Sequence, residues 1–180
     1  MLFRSHGDPA ACSIDWDDPG LRVYEKLDGT MIVAYWDDMH RRWFTGTRAV
    51  PEADLPIKQG NIEIGDTTFS DLFLEALVRT RKATSGNLDI TWNYRDEIDK
   101  VVHLNKELTY VFELTSPFNR VVVKYDEPRV TLLAARHTQT GKELPIETLR
   151  LQHVLRPKTW TFSSIDSLVR FRSEEHTSEL

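Results

Sequence analysis

The sequence contains a single cysteine, Cys12, among its 180 residues. One cysteine cannot form an intrachain disulfide or a cysteine-based zinc site, and such low usage is typical of proteins from a reducing cytosol. Long hydrophobic runs are also missing. The longest apolar stretches, such as Met31–Trp36, reach about six residues, whereas a helix that crosses a bilayer needs roughly 20. Because residues 1–7 contain no apolar segment of signal-peptide length either, the sequence predicts a cytoplasmic protein without a membrane segment.

Several motifs that bind nucleotides or metals are absent. The sequence contains neither GxxxxGKS/T nor GxGxxG, so it has neither of the glycine loops that cradle phosphates. None of its six histidines has the spacing HExxH. Asp15-Trp16-Asp17-Asp18 begins like a calcium loop, but Lys26 stands at the twelfth position, where such a loop requires glutamate. These absences exclude the corresponding nucleotide-binding and metal-binding classes.

The composition fits one globular domain. Apolar residues make up 40% of the chain, aromatic residues 10% and charged residues 28%, which is enough apolar content for an ordinary core. The net charge of −5 is uneven: residues 1–38 carry three Lys or Arg against eight Asp or Glu, whereas residues 100–142 carry seven against four. A basic half can meet a phosphate backbone, but scattered surface charge explains the counts equally well. Charge therefore leaves the partner open.

The apolar pattern predicts strands and helices without a repeated strand–helix–strand order. The predicted strands are Leu21–Lys26, Thr30–Trp36, Arg42–Arg48, Thr109–Thr115, Arg120–Tyr125 and Arg129–His137, and the predicted helices are Thr68–Lys82, Arg95–Leu104 and a short one from Ser163. Leu27-Asp28-Gly29 is expected to form a tight turn between the first two strands. Pro51–Gly65, with two prolines and two glycines, is expected to be mainly loop. The order of elements predicts an α+β fold with antiparallel β-sheets and packed helices.

Two of the predicted helices carry local signals. Thr68 and Asp71, at the start of the first helix, have the spacing of a capping box, in which each residue bonds the backbone of the other. On the last helix, Ile165, Leu168 and Val169 recur at helical spacing, and we expect them to face inward.

The first chemical signal is the motif K-x-D-G, formed by Lys26, Asp28 and Gly29 ahead of the apolar run Met31–Trp36. Chance alone would place this motif in a chain of such composition about 3 times in 100, so by itself it is a moderate signal. A hairpin with a surface lysine would explain it without any function.

The second signal lies in the strand Thr109–Thr115. Tyr110, Phe112 and Leu114 alternate onto one face of this strand, which leaves Glu113 on the other face. A glutamate in mid-strand is usually solvated, but one that shares a sheet with a lysine at a strand end can line a cleft instead.

Together these segments resemble a known superfamily. E-K-L-D-G-T followed by an apolar strand resembles motif I of the covalent nucleotidyltransferases, which comprise ATP-dependent ligases and capping enzymes. F-E-L-T-S-P-x-N-R-V-V-V-x-Y, continuing into L-L-A-A-R-H-T-Q-T-G-K, is similar to motif III and its sequel in the phage tRNA-repair type of RNA ligase. Between them, Trp43–Ala49 resembles motif Ia, with Ala49 in place of the family's glycine. The resemblance runs from about residue 3 to 171 and implies an ATP-grasp-like adenylation (nucleotidyltransferase) domain.

The resemblance implies ATP-dependent RNA ligation with Mg²⁺. Lys26 would attack the α-phosphate of ATP, pyrophosphate would leave, and AMP would remain on the lysine nitrogen. The AMP would then pass to an RNA 5′-phosphate, and a 3′-hydroxyl would displace it to seal the strands. The implied partner is RNA with these two ends, with tRNA as the usual substrate of the family, in a bacterial or phage-infected cytoplasm. No obligate protein partner is indicated.

The resemblance also implies a role for particular residues. Lys26 is the implied catalytic residue, and the implied nucleotide-binding residues are Glu25, Asp28, Gly29, Arg48 and Glu113. Asp28 would shape the motif and contact the nucleotide, and Arg48 would hold phosphate or ribose through its guanidinium fork. Glu113 would face ribose or a metal ion, and a side chain at Gly29 would crowd the nucleotide.

Ordinary structural roles remain open for several of these positions. Arg48 is equally well explained as a surface arginine at a strand end. Asn119 and Arg120 are equally well explained as a turn and an exposed strand start, and Tyr125 fits a core tyrosine better than an adenine-stacking residue. Two other functions also remain: a non-catalytic module that binds nucleotide or RNA ends, and a guanylyltransferase of the capping type.

The family has two further motifs, E-G-x-V and K-x-K, and neither string occurs after Glu113. Residues 172–180 have almost no apolar content and resemble the translation of a sequencing adapter. We therefore expect a partial adenylation domain at 1–171, an artefactual or disordered tail at 172–180 that breaks off the last helix, and a chain that is inactive by itself.

Overall fold

A computed structural model describes residues 14–54, 56–59, 62–85, 98–118, 122–151 and 154–178. The chain divides into two compact units: residues 26–157 form the larger unit, and residues up to 25 together with those from 158 onward form the smaller one. No helix in the described ranges is both long and apolar enough to cross a membrane.

Along the chain, the described elements are five strands, two helices, three strands, a short 3₁₀ helix, one strand and one helix. The strands are β1 (Val23–Tyr24), β2 (Thr30–Asp37), β3 (Arg42–Thr47), β4 (Pro56–Gln59), β5 (Ile62–Thr68), β6 (Leu108–Thr115), β7 (Arg129–His137), β8 (Glu143–Leu144) and β9 (Thr159–Trp160). The helices are α1 (Phe69–Ser85), α2 (Ile98–Val101) and α3 (Ile165–Ser178), with a short 3₁₀ helix at Ile146–Thr148.

The larger unit is built on a five-stranded antiparallel sheet with the strand order β3-β2-β6-β7-β8. The predicted α+β class with antiparallel sheets is thereby confirmed. β6 alternates as predicted, with Tyr110, Phe112 and Leu114 buried and Glu113 half-buried. Phe73 of α1 packs on Phe112 with ring centroids 5.3 Å apart, so this face of the sheet forms the core with α1.

The start of α1 confirms the predicted capping box. The Asp71 N–H donates to the Thr68 hydroxyl at 3.1 Å, and the Thr68 N–H donates to the Asp71 carboxylate at 3.0 Å. These bonds satisfy backbone groups that a helix start would otherwise leave without partners. The helix begins at Phe69 and extends to Ser85, beyond the predicted end at Lys82.

The prediction that Pro51–Gly65 is mainly loop is wrong in its second half. β4 and β5 pair there, with Lys58 opposite Glu63 and Gln59 opposite Ile62. Pro56 occupies the first position of β4, where a missing N–H is tolerated. The proline therefore marks the start of a strand rather than excluding one.

The predicted hairpin between Leu21–Lys26 and Thr30–Trp36 is also wrong. In the smaller unit, the first run is a strand only at β1, which pairs with β9 instead of with β2. Leu27-Asp28-Gly29 is not a hairpin turn, because the N–H groups of Asp28 and Gly29 bond side chains far along the chain.

In the smaller unit, α3 begins close to the predicted start and runs to Ser178, so the expected break at residue 172 is wrong. The expected inward orientation is also wrong for Ile165 and Val169, which are 52% and 55% exposed, whereas Leu168 is half-buried. Phe171 packs on Trp160 and Phe162, with ring centroids 5.4 Å away in each case. The packed stripe of the helix therefore follows Phe171, which lies on a different face from Ile165 and Val169.

Two further predicted elements are shorter than expected. Within Arg95–Leu104 the described helix is only α2, and residues 95–97 lie outside the described ranges. Within Arg120–Tyr125, residues 122–125 are not a strand, and residues 120–121 lie outside the described ranges. The N–H groups of Val122 and Val123 bond a side chain instead of a neighbouring strand.

Candidate active site

The Lys26–Gly29 loop lies at one end of the central sheet, where β2 begins. Antiparallel pairing places Met31 opposite Glu113, so the loop meets the last residues of β6. β3 finishes at the same end of the sheet, because its last residue, Thr47, is opposite Ile32. The topology therefore brings K-x-D-G, Glu113 and the end of β3 to one edge.

Gly29 joins the loop to β6. Its N–H donates to the Glu113 carboxylate at 2.9 Å. A Cβ at this position would overlap the Leu114 carbonyl oxygen and would lie 3.1 Å from the Thr115 methyl carbon. We expected a side chain here to crowd the nucleotide; within the chain itself, the close neighbour of Gly29 is the backbone of β6.

Asp28 is bound by the backbone that follows β6. Its carboxylate oxygen Oδ2 accepts the N–H groups of Val122 at 2.6 Å and Val123 at 2.7 Å. These bonds hold the pKa of Asp28 below its ordinary value of 3.8, Val123 contributing most and the positive charge of Lys26 adding to the effect. The carboxylate is therefore ionised at neutral pH and engaged by two backbone donors.

Tyr125 contacts the same residue from its other side. Its half-buried side chain places the hydroxyl oxygen 3.2 Å from the Asp28 nitrogen, whose N–H donates to it. Sequence reasoning considered Tyr125 as a core or adenine-stacking residue and missed this role. The position of Tyr125 at the end of the motif III match is the only signal for this role in the sequence, and it does not indicate that Asp28 is the partner.

Glu113 faces away from the α1 side of the sheet, as its place in β6 predicted. Burial raises the pKa of its carboxyl above the ordinary value of 4.5, the bond from Gly29 opposes this shift, and the negative charge of Asp28 adds to it. Two neighbouring carboxyls thus differ in their affinity for a proton, which is a common property of residues that take part in chemistry.

Lys26 is exposed beside this pair of carboxyls, and its amine makes no hydrogen bond to the described residues. Glu25, the residue before it, belongs to the smaller unit. There its carboxylate accepts the Lys158 N–H at 3.3 Å, and its own N–H donates to the Lys158 carbonyl at 2.9 Å. The nucleotide-binding role of Glu25 stays a prediction.

Arg48 is exposed directly after β3, and among the described residues no hydrogen bond or ion pair joins it to the loop. The turn that follows is held by the Thr47 hydroxyl, which accepts the N–H groups of Ala49 and Val50 at 3.3 Å each. Ala49 replaces the family's glycine without a left-handed backbone. The turn itself therefore does not require glycine.

Other predicted positions add little to the site. Asn119 and Arg120 lie outside the described residues. In the ranges that the structure does describe, no three His, Cys, Asp or Glu side chains form a metal cluster. The second feature that sequence reasoning missed is the pair of N–H groups at Val122 and Val123, since backbone donors leave no signal in a sequence.

The arrangement has the parts of a group-transfer site. An exposed primary amine can act as a nucleophile once it loses its proton. Asp28, with its lowered pKa, lies in the same loop as this amine, and Glu113, with its raised pKa, borders the loop through its bond to Gly29. Met31 and Val33, which are half-buried, lie beside Glu113 and form an apolar surface on the same side of the sheet.

Comparison with known proteins points to one class. No protein-family model matches the chain. The chain is 30% identical, over 181 aligned residues, to a protein of Autographa californica nuclear polyhedrosis virus named as a candidate bifunctional polynucleotide kinase/RNA ligase. This alignment covers 100% of the chain and 22% of the viral protein.

A second relative bears the same activity in its name. The chain is 31% identical over 124 residues to the RNA ligase of Rhodothermus phage RM378, an alignment that covers 68% of the chain and 24% of the phage protein. The two similarities support an RNA ligase family for this chain. It spans less than a quarter of the length of each of these relatives.

Proposed function

We propose that this chain carries the lysine of an ATP-dependent RNA ligase and that Lys26 is the residue to which AMP becomes attached. One observation carries the proposal: the Gly29 N–H of K-x-D-G donates to the carboxylate of Glu113 at 2.9 Å. This bond joins the two segments whose sequences independently resemble motifs I and III of covalent nucleotidyltransferases.

The proposed first step needs only the lysine amine and ATP as reactants. The neutral Lys26 amine forms a bond to the α-phosphorus of ATP, the bond between the α-phosphorus and the bridging oxygen breaks, and pyrophosphate leaves with that oxygen. The amine loses a proton to solvent, so the product is a phosphoramidate. Later transfer of AMP to an RNA 5′-phosphate and attack by a 3′-hydroxyl would release AMP and form the phosphodiester.

The surrounding residues support this step in different ways. One oxygen of Glu113 is taken by Gly29, and its other oxygen makes no hydrogen bond within the described ranges. A single carboxylate oxygen, completed by phosphates and water, suits Mg²⁺, so Glu113 is the residue that would hold the ion. Bound Mg²⁺ supplies neutralisation of triphosphate charge. Arg48, exposed at the same edge, is suited to a phosphate or ribose.

We also propose that residues 1–180 do not label themselves. The lysines of K-x-K would add positive charge beside the triphosphate, and that string is absent, as is E-G-x-V. The test supplies ATP radiolabelled at the α-phosphate to the 180-residue chain and to the product of the complete open reading frame. We expect label only on the latter; equal labelling of both would contradict this part of the proposal.

The function itself is tested by substituting the lysine in the protein that takes up label. Lys26→Ala should abolish labelling, and Lys26→Arg should also abolish it because a guanidinium stays protonated. Lys106→Ala, which changes an exposed lysine in the turn before β6, is the matched control and should retain labelling. Undiminished labelling of Lys26→Ala would overturn the assignment.

The same assay separates the alternatives. Labelling by GTP instead of ATP would indicate a capping-type guanylyltransferase. Binding of ATP or RNA ends without covalent label in any form would indicate a binding module. An intact K-x-D-G supports the enzyme, since a module that only binds does not need a nucleophilic lysine.

A further inference from the structure

One short segment, residues 122–125, forms hydrogen bonds with both the side chain and the backbone of Asp28. Val122 and Val123 donate their N–H groups to the Asp28 carboxylate at 2.6 and 2.7 Å. Tyr125 accepts the N–H of Asp28 at 3.2 Å. The three bonds join positions 94 to 97 residues apart in the chain. A local turn therefore cannot substitute for them.

Burial of Val122 and Val123 does not explain why the 122–125 segment lies there. Val122 is 72% exposed and Val123 is 46% exposed, and the segment belongs to no strand. Hydrogen bonds to an ionised carboxylate are roughly twice as strong as those between neutral groups. The bonds to Asp28, rather than burial of the two valines, therefore fix the segment against the Lys26–Gly29 loop.

The next residue of the loop is fixed from the opposite direction. Gly29 donates its N–H to Glu113 of β6, so Asp28 and Gly29 lie between β6 and the 122–125 segment. Lys26, two positions before Asp28, remains exposed. A loop anchored this way limits the directions in which the lysine amine can point, which favours a productive approach to a bound reactant.

We propose that Asp28 and Tyr125 are positioning residues for Lys26, and that Asp28 acts through the backbone of the 122–125 segment rather than through contact with the nucleotide. The inference rests on the proposed attachment of AMP to Lys26. It adds Tyr125 to the site and assigns the Asp28 carboxylate, which two N–H groups already occupy, a role different from nucleotide binding.

The first test measures amide hydrogen exchange in the 180-residue chain by NMR. Asp28→Asn should speed exchange at the Val122 and Val123 amides about fivefold or more, and Tyr125→Phe should do the same at the Asp28 amide. Amides of the β2–β6 ladder should be unchanged. The matched controls are Asp126→Asn and Tyr35→Phe. The Tyr35 hydroxyl donates to the Pro51 carbonyl at 3.3 Å and does not contact Asp28. Unchanged exchange in both test variants would overturn the inference.

The second test measures AMP attachment in the product of the complete open reading frame. Tyr125→Phe should lower the maximal rate about fivefold or more while the ATP concentration for half-maximal rate stays within a factor of two. A rise in that concentration at an unchanged maximal rate would show direct contact with ATP and would overturn the positioning role.

The two tests fail separately. If no form of the protein takes up AMP, the proposed function is wrong, and the exchange data still report whether the 122–125 segment depends on Asp28. If AMP is attached to Lys26 but Tyr125→Phe reacts like the parent, the proposed function stands and the positioning role is wrong.

Discussion

Asp28 and Glu113 are neighbouring residues whose carboxyl pKa values shift in opposite directions. This difference between two single residues can be measured. Backbone N–H bonds lower the pKa of Asp28 from 3.8, and burial raises the pKa of Glu113 from 4.5. Ionised Asp28 therefore stabilises the fold above pH 3.8, and this contribution is lost as the pH falls through its lowered pKa. Glu113 contributes below pH 4.5, and its contribution is lost as the pH rises through its raised pKa.

The corresponding prediction is an order of titration. Carboxyl chemical shifts followed by NMR should give Asp28 a midpoint below 3.8 and Glu113 a midpoint above 4.5, because only Asp28 accepts two backbone N–H groups. A midpoint for Asp28 above that of Glu113 would contradict the described arrangement.

Glu113→Gln separates charge from hydrogen bonding at the site. The amide oxygen of glutamine can still accept the Gly29 N–H, so thermal unfolding should change little. Loss of the negative charge should slow AMP attachment at least ~10-fold, equivalent to about 1.4 kcal/mol of transition-state stabilisation. Glu107→Gln, in the exposed turn before β6, should not slow it. Equal rates for Glu113→Gln and the parent would return Glu113 to an ordinary strand position.

Gly29→Ala tests the close approach of the loop to β6. The added methyl would overlap the Leu114 carbonyl oxygen, and backbone cannot move aside as a flexible side chain can. We expect a loss of about 1–3 kcal/mol in the free energy of unfolding, measured by denaturant titration. Gly20→Ala is the control, because its methyl would meet only the Asp18 side chain, at 3.1 Å. A neutral result for Gly29→Ala would contradict the described packing.

At the scale of elements, the capping box of α1 offers a direct stability test. Thr68→Ala removes the hydroxyl that accepts the Asp71 N–H and should cost about 1 kcal/mol in the free energy of unfolding. Thr67→Ala changes the exposed neighbour and should cost much less. Equal effects of the two substitutions in denaturant titrations would argue against the cap.

Local signals predicted the elements that depend on nearby residues. The cap at Thr68 and the alternation of β6 were readable because each involves positions three or fewer apart. Residues 122–125 read as a strand from their valines, yet their N–H groups bond Asp28, which is 94 or more residues away. No periodicity in a sequence indicates a partner at such a separation. For this reason neither the absence of a strand at residues 122–125 nor the role of Tyr125 could be predicted.

At the scale of the whole molecule, the resemblance predicted more of the site than the strand pattern did. It brought Lys26 and Glu113 into one proposal from segments far apart in the sequence, and the structure places Gly29 against Glu113. The hairpin predicted for the same loop was wrong because β1 pairs with β9. Pairing partners depend on the assembled sheet, which composition and turn signals do not specify.

Peptide mapping by mass spectrometry can show directly whether AMP becomes attached to Lys26. The product of the complete open reading frame is incubated with ATP and Mg²⁺, digested, and searched for AMP on every lysine-containing peptide. We expect AMP on the peptide that contains Lys26, with fragment ions that place it on the side-chain nitrogen. AMP on another lysine while the Lys26 peptide stays unmodified would contradict this expectation, and so would the absence of AMP from all peptides.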